Sequence, residues 1–341
     1  LLRGPMMQAA IYSLAGAELT DDERALFRDS DPAGYILFKR NCVDRAQLSR
    51  LTDDLRSLHG RSDLAVLIDQ EGGRVARMKP PEWMAFPAGE AFDRLYRTAP
   101  SSAIEAARSN ARALALMLRE VGVNVDCLPV LDVRQEGASD IVGDRAMGAE
   151  PMQVAALGRA VLDGLASAGV VGVVKHMPGH GRALVDSHHE LPVVDAGVDD
   201  LAIDLEPFER LAAAPMGMVA HILFTAWDAE RPSSQSPFVI QEIIRGRIGF
   251  DGFLMTDDIG MEALSGTPGE RAIASLAAGC DVVLHCSGKF DEMAEIAARI
   301  GALTPEAEGR LARAMAATLI DDDGPDFAEA VAKRDALLAR A

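Results

Sequence analysis

Four of the chain's seven histidines fall in one stretch, "KHMPGHGRALVDSHHELP", from Lys175 to Pro192, together with a lysine, an aspartate and a glutamate. Such a mixture can bind a metal, move protons or simply make a polar turn. His176 and His180 have the four-residue spacing of a helical zinc chelate. Pro178 and Gly179 stand between them and exclude a regular helix, and there is no HExxH. Metal binding is therefore the weakest of the three. Asp186 and His188 are two residues apart, and on an extended or turn segment such a pair shares a side. A carboxylate so placed orients the imidazole and supports its protonated form. A histidine near its ordinary pKa of ~6.5 both gives and takes protons at neutral pH. His189 is adjacent and points elsewhere. "PGHG" is turn chemistry, in which His180 serves the backbone. The residues alone leave a structural turn and a proton-transfer dyad both open.

Other polar groups follow short apolar runs. "DQEGGRV" (69–75) follows one such run, "GDRAMG" (143–148) comes after "PVLDV", and His221, the pair Asp257-Asp258, and His285 each end another. Individually each has a plain reading. A lone aspartate after a strand is often a helix cap, and for Asp258 a capping or solvated role stands evenly beside a functional one. His285 reads as a core histidine, His59 at a helix end as a surface one, and Arg145 as one half of a surface ion pair. Their shared position at run ends is what makes them informative.

The elements that must carry them are legible. Eight β-prone runs recur: "AAIYSL" (9–14), "GYILF" (34–38), "LAVLID" (64–69), "VNVDCL" (123–128), "VVGVVK" (170–175), "MGMVAH" (216–221), "GFLMTD" (252–257) and "DVVLH" (281–285). They are nearly continuous in apolar character, as strands covered on both faces are. Helical patterns lie between them. Leu48, Leu51, Leu55 and Leu58 share one face. Residues 102–122 and 151–169 end in glycine, 151–169 opens on proline, Ser236 and Pro237 open another helix, and 269–279 closes on glycine. The alternation predicts a single α/β domain over 1–341, a (β/α)8 TIM barrel over about 8–300 with a helical tail over about 301–341. The rival, a doubly wound open sheet, lacks any GxGxxG or P-loop after the first strand. In a barrel of this kind the chemistry lies at the C-terminal ends of the strands, where these polar groups fall.

Bulk composition narrows the function. The 341 residues carry a formal net charge of −18 and 49% hydrophobic residues. That charge speaks against nucleic-acid and anionic-membrane partners. Cys42, Cys127, Cys280 and Cys286 form no CxxC and read as buried free thiols of a reducing compartment. The first residues lack the apolar core of a signal peptide, and no run approaches the ~18 residues of a membrane span. The expectation is a cytoplasmic protein that needs no metal or cofactor.

Taken together, "GYILFKRN", "LIDQEGGRVARM", "PVLDV…IVGDRAMG", "VVKHMPGHG…DSHHELP", "MVAHILF…SPFVIQEIIRGRIGFDGFLMTDDIGM" and "AAGCDVVL" resemble the NagZ-type β-N-acetylglucosaminidases of glycoside hydrolase family 3. The match runs in order over about residues 8 to 290. The resemblance implies a retaining β-glycosidase acting on N-acetylglucosaminyl muropeptides in cell-wall (peptidoglycan) recycling, as a monomer or weak homodimer. It implies Asp257 as nucleophile, His188 as acid/base and Asp186 as the group that orients it. Asp69, Arg77, Arg145, Lys175 and His176 match positions that hold the sugar. Met177, Thr256 and the pair Arg182-Ala183 depart from the common pattern, the last in a part of the loop expected to be mobile and to close over substrate. Three alternatives accompany this reading. They are a substrate-assisted glycosidase using Asp257-Asp258 as an acidic pair, a β-glucosidase or glycoside phosphorylase of the same family, and a catalytically silent sugar-binding barrel.

Overall fold

The computed structural model describes residues 7–137, 140–187, 189–320 and 322–340. The strands in chain order are β1 (Gln8–Tyr12), β2 (Pro32–Leu37), β3 (Ala65–Ile68), β4 (Val125–Asp126), β5 (Val171–Met177), β6 (Val193–Val194), β7 (Met216–Val219), β8 (Leu223–Phe224), β9 (Phe253–Asp258) and β10 (Val282–His285). Eight of them close into a barrel in the order β1-β10-β9-β7-β5-β4-β3-β2, parallel throughout. Each of these eight coincides with one of the apolar runs. The main departure is β4, which pairs over only two residues before Pro129 removes a backbone donor.

Alternation along the strands divides the core. Ile11, Ile36, Leu67, Val173, Met218 and Leu284 belong to an interior cluster fed by all eight barrel strands. Tyr12, Tyr35, Val66 and Ile68 face the surrounding helices. The interior cluster continues into Leu303, Ala307, Leu311, Ala314 and Met315. Most of these lie on helix Pro305–Ala316, capped by Thr304. This helix seals the N-terminal end of the barrel, so part of the expected tail belongs to the barrel's core. The last helix, Phe327–Leu338, lies against helix Pro100–Glu120. It starts with a reciprocal capping box between Asp326 and Glu329.

The expected helix signals are met in detail. Gly122, Gly169 and Gly279 all take positive φ just beyond helix ends. Ser236 Oγ accepts from Val239 N–H at 3.2 Å. The following helix, Val239–Arg247, has the wider π geometry.

The long excursion after β5 has its own fastening. β6 pairs with β8 outside the barrel, and Ala183, Val194, Leu201, Ala220, Ile222 and Phe224 form a small cluster beneath it. Arg182 Nε donates to Asp204 Oδ2 at 2.6 Å and its Nη2 to Asp200 O at 2.8 Å. Ala183 is fully buried. In this conformation Arg182 reaches a buried carboxylate and Ala183 an apolar pocket.

His59 also differs from expectation. Its side chain is buried, with Nδ1 2.9 Å from Asp31 and Nε2 2.7 Å from Tyr35 Oη. Helix Arg45–His59 ends against β2, which turns its last residue inward. His285 is the core histidine expected, fully buried with Nε2 2.9 Å from Glu292. The four cysteines are free, two of them buried and two partly so. Among the described residues no helix is long and apolar enough to cross a membrane.

Candidate active site

The loop after β3 is shaped by two glycines and one glutamine. Gly72 and Gly73 both take positive φ, and a Cβ on either would strike the 86–88 backbone segment. The buried Gln70 Oε1 accepts from the N–H groups of Arg77 and Met78 at 2.8 and 3.0 Å, and its Nε2 donates to Met78 O at 2.8 Å. This lock delivers Asp69, Glu71 and Arg77 to the mouth of the barrel.

There they meet the end of β5. Lys175 Nζ lies 3.0 Å from Asp69 Oδ1 and 2.6 Å from Glu71 Oε1. Arg77 Nη2 donates to Asp69 Oδ2 at 3.0 Å, and its guanidinium covers the Phe38 ring at 4.9 Å. Arg145 grips Glu71 with two parallel bonds of 2.8 Å, so it is no surface ion pair. Burial opposes charge on Asp69, Glu71, Arg145 and Lys175, yet their partners outweigh it. Lys175 and Arg77 hold Asp69 well below the usual carboxylate range. Lys175 and Arg145 hold Glu71 at about 2. In return Asp69 and Glu71 raise the Lys175 ammonium above its ordinary value. Asp69, Glu71, Arg145 and Lys175 are therefore ionised at neutral pH, a preorganised set of donors and acceptors.

His176 is set by Asp132, a fully buried carboxylate from the "PVLDV" segment. Asp132 Oδ2 lies 2.7 Å from His176 Nδ1, and Oδ1 accepts from the backbone N–H groups of His176 and His180 at 3.2 and 2.7 Å. The bond at Nδ1 leaves Nε2 as the ring nitrogen available to a ligand. Asp126, deeper in the barrel, is pushed well above its ordinary value by burial.

A cavity of about 250 Å3 opens among these groups. Asp69, Arg77, Arg145, Lys175, His176 and Asp257 all line it. So do Phe38, Glu71, Arg74, Ile141, His180, Ser187, Met218, Asp258 and Cys286. At this size it suits a single sugar ring rather than a long glycan. Asp258 is committed to the backbone: its Oδ1 accepts from Gly260 and Cys286 N–H at 2.9 and 3.0 Å, and its own N–H donates to Asp257 Oδ1 at 2.8 Å. Asp186 lies outside the cavity lining, on the loop beside it, with its side chain 30% exposed. His188 falls outside the described residues. His189 projects to solvent. His180 is buried against the cavity, and its Nε2 reaches Ser187 Oγ at 3.2 Å. Among the described residues no three His, Cys, Asp or Glu side chains are grouped to hold a metal ion.

Glu71, Asp132 and Gln70 were not singled out from the sequence. Glu71 and Gln70 sit in "DQEGGRV" itself, so position after a strand was a usable signal. Asp132 had none, because its partners lie 44 and 48 residues away.

Comparisons with known proteins agree with this fold. Residues 6–316 match the family described as glycosyl hydrolase family 3 N terminal domain. A β-hexosaminidase of Bordetella avium is 38% identical over 94% of this chain and 90% of its own length. One from Thiobacillus denitrificans is 38% identical over 91% of this chain and 86% of its own. The structure of NagZ from Neisseria gonorrhoeae in complex with N-trifluoroacetyl-D-glucosamine superposes with a TM-score of 0.86, at 30% identity, over 99% of this chain and 100% of that one. With a closed parallel barrel, a charged cavity at the strand ends and these likenesses over nearly its whole length, the chain belongs to glycosyl hydrolase family 3 and is a glycosidase similar to the β-hexosaminidases.

Proposed function

We propose that the chain is a retaining exo-β-N-acetylglucosaminidase that removes a terminal, non-reducing N-acetylglucosamine from cell-wall muropeptides in the cytoplasm, in peptidoglycan recycling. The observation that carries this is the cavity itself. It is small, lined by Asp257 and floored by ionised donors, in a chain aligned end to end with β-hexosaminidases.

The Asp257 carboxylate attacks the anomeric carbon while protonated His188 gives its proton to the leaving oxygen. A glycosyl-aspartate forms. Neutral His188 then takes a proton from water, which attacks the same carbon and displaces the Asp257 carboxylate, and the second inversion restores the β-configuration. Asp186, two residues before His188, selects the tautomer and supports the imidazolium. Asp69, Arg77, Arg145, Lys175 and His176 hold the sugar hydroxyls. A substrate-assisted pair would need both carboxylates to act on the substrate, and Asp258 Oδ1 is engaged by two backbone N–H groups, which speaks against Asp258 as half of such a pair.

The test compares aryl N-acetyl-β-glucosaminide with the plain β-glucoside, with and without phosphate. Preference for the N-acetyl sugar, a hydrolytic product in both buffers, and a sugar adduct on the Asp257 peptide by mass spectrometry are expected. Preference for the glucoside, a sugar phosphate as product, or high residual activity in Asp257→Ala would overturn the corresponding part.

A further inference from the structure

We propose that His180 is a positioning residue, which fastens the Asp186–Ser187 turn to the cavity floor and so sets where the adjoining His188 can reach. The inference rests on the acid/base role assigned to His188 above.

The His180 ring is held from behind. Its backbone N–H donates to Asp132 Oδ1 at 2.7 Å, and the ring stands edge-on to His176 with centroids 5.7 Å apart. The next residue, Gly181, presses against the backbone of Val133 so closely that a Cβ could not be accommodated. The base of the loop is thus immobilised on the same carboxylate that orients the sugar-binding His176.

From that base the ring reaches forward. His180 and Ser187 are only 4% and 2% exposed, and Nε2 lies 3.2 Å from Ser187 Oγ. Nδ1 is buried and has no partner among the described residues. A buried N–H without an acceptor costs more than a bare lone pair, so the ring proton is assigned to Nε2. Burial pushes the imidazole below its ordinary value, so the ring is neutral at pH 7. Nε2–H therefore donates to Ser187 Oγ, and the serine keeps its own proton for the cavity that both residues line.

On the same turn, the N–H groups of His189 and Glu190 both donate to Asp186 O, at 3.0 and 3.2 Å. Ser187 is bonded directly to residue 188, so holding Ser187 is what would limit the reach of the proposed acid/base. Another fastening of the loop, Arg182 on Asp204, involves two residues that are not part of the cavity lining. A single neutral hydrogen bond adds little to global stability. Its loss is read in the placement of the acid/base turn.

Leaving-group dependence makes this measurable, because a good leaving group departs without a proton and a poor one does not. The kcat/KM of Ser187→Ala and His180→Ala is measured with phenyl and with 2,4-dinitrophenyl N-acetyl-β-glucosaminide, beside His188→Ala. For the phenyl substrate each variant should lose roughly 10- to 100-fold, and for the dinitrophenyl substrate less than about 3-fold, a fraction of the full effect of a positioned acid. The double variant should lose no more than the worse single one, since both remove the same bond. Ser187→Thr and His180→Gln, which keep a hydroxyl and an Nε2-like donor, should recover most of the loss. Equal losses on both substrates, additive losses, or no loss on the phenyl substrate would overturn the proposal. If His180→Ala does not fold, Ser187→Ala carries the test. If His188→Ala itself shows no leaving-group dependence, the acid/base reading fails and this one with it. If His188→Ala discriminates and the other two do not, only the positioning role fails.

Discussion

The two ends of the barrel are built from the same kinds of residue and put them to different uses. At the N-terminal end, Asp281 accepts from Arg245 and Leu254 N–H at Oδ2, at 2.9 and 2.8 Å, and from Arg310 at Oδ1 at 2.9 Å. Arg310 and Arg313 also reach Asp251. Every carboxylate oxygen of Asp281 is used, and the network fastens helix Pro305–Ala316 over the apolar interior. At the C-terminal end, Asp69, Glu71, Lys175, Arg77 and Arg145 are as heavily paired, but they surround an open cavity. A buried ion network adds little net stability once desolvation is counted, although breaking it is costly. What it contributes depends on what it faces: a helix in one case, a substrate in the other.

Substitutions at the two ends should therefore separate activity from stability. The largest effect belongs to the top. Asp257→Ala should lower kcat/KM by roughly 10⁴-fold or more, as loss of a nucleophile does, with an unchanged melting temperature. If the melting temperature falls with the activity, the two ends are not functionally distinct.

Next comes the bottom. Asp281→Ala leaves Arg245 and Arg310 without their carboxylate and should cost about 3–5 kcal/mol of stability in denaturant titration. Activity per folded molecule should not change, and a drop in kcat there would break the comparison. Glu71→Gln keeps the shape of the top network and removes its charge. Slack in Arg145 and Lys175 should reduce kcat/KM by about 10²-fold, the scale of small misplacements, with a smaller loss of stability.

Acid titration sharpens the same point. Glu71 is held at about 2 in the folded chain, below its ordinary 4.5. A depressed carboxyl stabilises the fold above its unfolded pKa and loses that contribution as pH falls through the folded value. Between pH 4.5 and 2 the wild type should therefore lose stability more steeply than Glu71→Gln, followed by denaturant midpoint at each pH. Identical slopes would mean that Glu71 is not held by its partners. The smallest effect is expected at Leu184, 71% exposed on the loop. Leu184→Ser should shift stability by no more than about 0.5 kcal/mol.

Much of the architecture was legible because the physics is local. A strand buried on both faces must read as an apolar run, and a helix must end on a residue that tolerates positive φ, as at Gly122 and Gly279. The bottom seal was not legible. Leu311 and Met315 look like one face of any amphipathic helix, and nothing local says that the face is a barrel interior. His59 was misread for the same reason: helix position gives no account of Tyr35 and Asp31, which come from other elements. The contact of Arg182 was not legible either, because its partner, Asp204, lies on a later helix.

The candidate site divides along the same line. Position after an apolar run drew attention to Asp69, Lys175, His176 and Asp257, since strand ends in a parallel barrel share one face. Sequence by itself determined the period, the number of barrel strands, the turns that need glycine and the residue types available at each barrel strand end. Only the tertiary structure decided that Glu71 bridges Lys175 and Arg145, that Asp132 holds both His176 and His180, and that Asp258 is spent on backbone N–H groups. Those decisions depend on closing the barrel, which brings residues dozens of positions apart within 3 Å of one another. No local propensity encodes such a distance.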